Sequence, residues 1–218
     1  MTADDIHELG LKEVARIQAE MDKIRVSTGF KGDAKAFFEF MRTDKQVYLP
    51  NTDAGRAEYI KKADVYLKAM EAKLPEYFGR LPKAALVVKR VEAFREVPGG
   101  AAHYFRPTPD GKQPGIFYAH LSDMSAVSVW ALESLAYHEG VPGHHMQIAI
   151  QNELTDIPLF RTQYGYGSYI EGWGLYAEDL GKTMGFFTDP YNDFGRLSSE
   201  LWRSVRLVVD TGLHAKGW

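Results

Sequence analysis

The segment His138-Glu139-Gly140-Val141-Pro142-Gly143-His144-His145 constrains this chain more than any other. It sets three imidazoles and a carboxylate around a helix-breaking insert. The apolar run before it, Val127 to Tyr137, reads as a buried helix that carries His138 into the interior. Imidazoles beside a glutamate on a helix are the donor set of a zinc hydrolase site. In the usual motif the two histidines stand four residues apart, about 6 Å along one face. Here His144 is six residues after His138, a rise of about 9 Å on a straight helix, with the rings on different faces. His145 shares a face with His138 but lies about 10.5 Å along. A regular helix closes neither pair on one ion.

The insert argues against a regular helix. Pro142 has no N–H to give to the carbonyl of His138, and its ring crowds that carbonyl. Gly140 and Gly143 make unusual backbone angles cheap. The expectation is a helix that breaks or bulges inside the motif and restarts near His144, returning a later imidazole towards His138. On the residues alone, either His144 or His145 can be the second ligand. The chain has no cysteine, so a metal must take histidine and carboxylate, and no disulfide framework exists.

A third ligand is needed, with one position left open. Glu171, in Tyr169-Ile170-Glu171-Gly172-Trp173-Gly174, lies far enough on for a loop and a returning helix, and the glycines allow close approach. Glu178 is two turns further on the same face and suits support of a ligand. Glu139, next to a ligand, has the placement of a general base that takes a proton from a zinc-activated water. On the last helix Arg203 and Arg206 share a face, and Asp210 is placed to pair with Arg206. His214 follows Gly212, reads as a loop residue, and is a catalytic candidate as donor to an oxyanion. Tyr164, Tyr166 and Tyr169 are further candidates for that donor.

Asp4 or Asp5 can cap a first helix carrying Leu9, Val14, Ile17, Met21 and Ile24 at helical spacing. A second helix is predicted from Asp33 to Met41, and a third from about Asp53 to Tyr77. Strands are predicted at 85–88, 102–106 and 115–119, with a turn at Pro107 to Lys112. Helices return from about Ser125, interrupted at 155–158 and 181–190, and the last runs from about Asp189 to Thr211. The predicted class is α+β, mainly α-helical, with zincin-like motif helices and a small antiparallel sheet. Residues 1–218 are expected to be one region of a larger metallopeptidase-like domain: 1–80 helical, 83–120 the small sheet, 125–218 the metal-site helices. The strand at Gly115 to Ala119 is expected to receive an extended peptide by strand addition. The aromatic ending at Trp218, just past a helix, suggests that more chain follows.

With a net charge of −3 and scattered Lys and Arg, a nucleic-acid partner is not expected. No apolar run is long enough to span a membrane, and the polar, acidic start is not a signal peptide.

The run His-Glu-Gly-Val-Pro-Gly-His-His-Met-Gln at 138–147 resembles the bacterial family known as domain of unknown function 885, whose members are described as lipoproteins or metallopeptidase-like proteins. Further stretches that resemble it are Ile6 to Ile24, Pro114 to Leu121, Tyr169 to Glu178 and Trp202 to Trp218. The resemblance implies a gluzincin-like zinc peptidase with His138, His144 and Glu171 on Zn2+ and Glu139 as base. Gly143-His144 also resembles the Gly-His pair that closes the shorter motif of oligopeptidases, which favours His144 over His145. Members are much longer than this chain, which resembles a central portion of one. A lipoprotein setting implies a periplasmic or lipid-anchored location for the longer protein. The expected substrate is a peptide or small amide. Two rivals remain: non-haem iron oxygenation on the same donors, and a metal-stabilised or inactive peptide-binding module.

Overall fold

The structure is a computed structural model that describes residues 1–97 and 99–218, side chains included except at position 163. It divides into two compact units, one formed by Met1–Asp44 with Thr188–Trp218, the other by Lys45–Phe187.

The first unit is built on α1 (Ala3–Ser27), α2 (Ala34–Thr43) and α8 (Pro190–Ala215). Thr2, rather than Asp4 or Asp5, caps α1. Its hydroxyl accepts from Asp5 N, and the Asp5 carboxylate accepts from Thr2 N, a reciprocal box that satisfies two otherwise orphaned donors. Asp33 caps α2 as its sequence predicts, accepting from Ala36 N. The helices α1 and α8 run antiparallel: Asp4 pairs with Lys216, His7 hydrogen-bonds Thr211, and Arg16 reaches Glu200. The buried face of α1 is His7, Gly10, Ile17 and Met21, whereas Leu9 is turned outward. Gly10 sets the approach, because a Cβ there would stand 2.8 Å from Val208 Cγ2 and 2.9 Å from Leu207 Cβ. Phe37 packs edge-on against Phe194 at 4.9 Å between ring centroids, and burial of such a ring is worth roughly 1.5–3 kcal/mol.

The second unit holds α3 (Asp53–Lys73), strands β1 (Leu86–Arg90), β2 (His103–Phe105) and β3 (Gly115–Ala119), and helices α4 (Leu132–Glu139), α5 (His144–Asn152), α6 (Leu159–Gln163) and α7 (Gly167–Thr183). Its core gathers Tyr59, Leu67 and Met70 of α3, Phe117 of β3, and Leu132, Ala136 and Tyr137 of α4. The mainly helical α+β class stands, but the sheet is mixed, in the order β1-β3-β2. β1 runs parallel to β3, with Leu86 opposite Gly115, and β2 runs antiparallel to it, with His103 opposite Tyr118. β3 is therefore central and both its edges are taken, so it cannot accept an added strand. Its unbroken Gly-Ile-Phe-Tyr-Ala run is the pattern of a strand covered by neighbours.

The run from Val127 to Tyr137 is not one helix: α4 begins only at Leu132. Val129 N instead donates to Val47 O, and the Ser128 hydroxyl accepts from Trp130 N. β-Branched valines and a serine that bonds its own backbone favour that alternative. Among the described residues no helix is long and apolar enough to cross a membrane.

Beside the sheet, Arg90 grips Glu96 through two hydrogen bonds, and Glu96 also accepts from Leu121 N. The Arg90 guanidinium holds the Glu96 carboxyl below its ordinary value. The folded state thus keeps this carboxylate ionised where the unfolded chain would protonate it. Its contribution is intact above the ordinary carboxylate range and is lost as pH falls through the lowered folded value. Glu96→Gln is expected to lower stability at neutral pH and to flatten the acid limb of a plot of melting temperature against pH.

Candidate metal centre

The helix that begins at Leu132 ends at Glu139, and α5 restarts at His144. The Val141–Pro142 peptide bond is cis. His145 N donates to Gly140 O at 3.0 Å, spanning the insert. Gly143 has no room for a side chain: a Cβ there would lie 2.0 Å from His138 O and 2.3 Å from Tyr137 O. Trp173 Nε1 donates to Pro142 O at 2.9 Å, fastening the insert to α7. The break folds the start of α5 back towards the end of α4. The His138 and His144 rings, six residues apart in sequence, stand 4.6 Å apart between centroids at 79°.

Glu171 projects from α7 onto this pair. His138 Nε2 is 3.5 Å from Glu171 Oε2 and His144 Nε2 is 3.8 Å from Glu171 Oε1. The three side chains each offer a ligand atom, all within 4.8 Å of one another. Donors about 2.0–2.2 Å from one tetrahedral ion stand about 3.4 Å apart, so small side-chain movements fit the group to a metal. The histidines are buried while the Glu171 side chain is 65% exposed, which leaves the centre open on one side. His138, His144 and Glu171 could therefore hold a metal ion.

Buried groups orient the first of these histidines. Glu178, 2% exposed, accepts from His138 Nδ1 at 2.8 Å and from the Ser134 hydroxyl at 2.6 Å. With Nδ1 as donor, the lone pair of His138 lies on Nε2, the atom nearer Glu171. Ser134 escaped the sequence reading. The available signal was its position one turn before His138 on the same helix face. Gly174 lets α7 pass close by, since a Cβ there would meet His138 Cε1 at 2.5 Å. Gly174→Ala is expected to cost about 1–3 kcal/mol of folding stability by overpacking, measurable by urea denaturation, and to push the His138 ring from its place.

His145 is engaged elsewhere. Its Nε2 donates to Ala84 O at 2.9 Å, so its Nδ1 accepts from the Tyr104 hydroxyl at 3.0 Å. Burial pushes its pKa down and keeps the ring neutral. It anchors the first turn of α5 to the strands and has no nitrogen to offer a metal. Glu139 is buried at the end of α4. His214 belongs to the other unit. It lies within α8 rather than on a loop, because the helix continues through Gly212 to Ala215. It is exposed and faces Asp210 at 3.7 Å, while Arg206 lies over the Trp202 ring at 5.1 Å instead of pairing with Asp210. Tyr164, Tyr166 and Tyr169 are all exposed.

The chain thus combines a mainly helical α+β fold with a broken helix that sets two histidines against a glutamate, a group that could hold a metal ion. The chain belongs to the family described as "Bacterial protein of unknown function (DUF885)", whose model matches residues 1–218. It is similar along its whole length to a solved structure described as "the putative lipoprotein from Colwellia psychrerythraea", at a TM-score of 0.92 and 37% identity. The chain spans 38% of that protein's length. No curated protein matches the sequence.

Proposed function

We propose that this region is part of a zinc-dependent hydrolase that cleaves a peptide or small amide. The observation that carries the reading is the convergence of His138, His144 and Glu171, with His138 backed by the buried Glu178. A donor set of two imidazoles and one carboxylate, with no thiolate, suits zinc and leaves a position for solvent or substrate. When bound, the ion supplies a Lewis acid that polarises a carbonyl and makes water easier to deprotonate. Glu139 accepts a proton from the attacking water and passes it to the leaving amine. Its burial keeps that proton from bulk solvent. Glu178 and Ser134 hold His138 in one tautomer and orientation. The description of the Colwellia protein as a lipoprotein supports a periplasmic or lipid-anchored setting for the longer protein.

Elemental analysis of the chain purified without added metal tests the reading. About one zinc per chain is expected, with hydrolysis of an amide substrate that is lost on chelation and restored by zinc. Iron in place of zinc supports oxygenation on the same donors. Bound zinc without turnover supports a binding module.

A further inference from the structure

Resting on the hydrolase reading, we propose that the groove bounded by α5, α6 and the start of α7 binds the carboxyl-terminal end of a peptide, and that the enzyme trims apolar or aromatic residues from free carboxyl termini. The groove encloses about 610 Å³, within the range of about 300–1,000 Å³ usual for small-ligand sites. Two of its lining residues are sequence neighbours of the metal residues: Gln147 lies three residues past His144 on α5, and Ile170 immediately precedes Glu171 on α7.

Its walls include Ile150, Leu154 and Ile157. Four aromatic side chains also line it, Phe160, Tyr164, Tyr166 and Tyr169, and each is more than three-fifths exposed. Aromatic surface this concentrated and this uncovered marks a place that receives another apolar group. Two polar groups fix what that group carries. Arg161 lines the groove, and among the described residues no ion pair engages its guanidinium. No carboxylate lines the groove. A guanidinium fork matches a carboxylate with two parallel hydrogen bonds. Gln147 donates through Nε2 to Tyr169 O at 3.4 Å, while its Oε1 is buried with no hydrogen-bond partner among the described residues. That oxygen is a buried acceptor without a donor, on a residue that lines the groove. A chain end with an apolar side chain and a carboxylate matches both the aromatic walls and Arg161; an internal stretch of peptide leaves Arg161 unmatched. In the reaction water adds to the carbonyl carbon of the peptide bond next to the held end. The C–N bond breaks and one proton goes to the leaving nitrogen. The products are a shortened peptide acid and an amine component that retains the original carboxylate.

Calorimetric titration of the metal-free chain with N-acetyl-Ala-Ala-Phe and with its carboxamide tests this. The acid is expected to bind about tenfold or more tighter than the amide. Arg161→Gln is expected to abolish that preference while leaving the amide's affinity unchanged, and Arg161→Lys to retain part of it. Arg161 is exposed, and circular dichroism of each variant checks its fold. Equal affinity for acid and amide, binding of neither, or a preference that survives Arg161→Gln overturns the proposal. Zinc is titrated separately into the same preparation. A chain that prefers the acid but takes no zinc keeps the groove and loses the hydrolase reading, whereas one that takes zinc and ignores both peptides does the reverse.

Discussion

Glu139→Gln is expected to lower amide hydrolysis by about 10²–10⁴-fold while the chain keeps its zinc. The substitution preserves the shape of a buried side chain and replaces its proton-accepting carboxylate with a neutral amide. Glu139 is not one of the three residues that could hold the metal, so metal content should not change. A fall in turnover at constant metal content and constant melting temperature assigns the proton transfer to this side chain. Unchanged turnover moves the base elsewhere, and loss of metal makes Glu139 a ligand. With substrate in excess the loss is expected in kcat rather than in KM, because the proton moves in the transition state.

Glu178→Ala is expected to weaken metal binding by about 10–100-fold, although Glu178 is not among the proposed ligands. Its carboxylate accepts from His138 Nδ1 and from the Ser134 hydroxyl in the interior. Truncation leaves two buried donors without that acceptor, each costing about 1–3 kcal/mol. The His138 ring is then free to turn or change tautomer, and Nε2 no longer points reliably at Glu171. Glu178→Gln separates the two consequences. Its carbonyl oxygen still accepts one hydrogen bond, so stability should recover more than metal affinity. Competition with a zinc chelator reads the affinity and thermal unfolding the stability; equal metal affinity in parent and Glu178→Ala would remove the orienting role.

How much of this was legible in the sequence depends on how local the cause is. Asp33 as a cap, the strand-like runs in 85–119 and the start of α8 at Asp189 follow from short-range chemistry, and the structure has them there. The break at Gly140 to Gly143 was equally legible, since proline forbids the hydrogen bond that would continue the helix. What escaped was set by distant partners. Val127 to Ala131 looks helical by apolar content, yet Val47, far away in sequence, takes the Val129 N–H. The engagement of His145 depends on Ala84 and Tyr104, which no spacing within the motif reveals. β1 pairs with β3 in parallel although β2 lies between them in sequence, a pairing that strand patterns alone do not specify. Gly212 looked like a stop, but the helix runs on and closes at Gly217, whose φ is +72°, with Trp218 N reaching back to Gly212 O.

The pairing of α1 with α8 joins the first helix of this chain to its last. As the polypeptide leaves the ribosome, Ile17 and Met21 emerge before residues 45–187, and the helix opposite them is made only after that stretch has been synthesised. An apolar stripe therefore waits, uncovered by its eventual partner, while the middle of the chain is already able to collapse. Within this region α1 should thus be the segment that needs protection until α8 is made, and nascent chains halted between residues 45 and 190 should aggregate more readily than those that include α8.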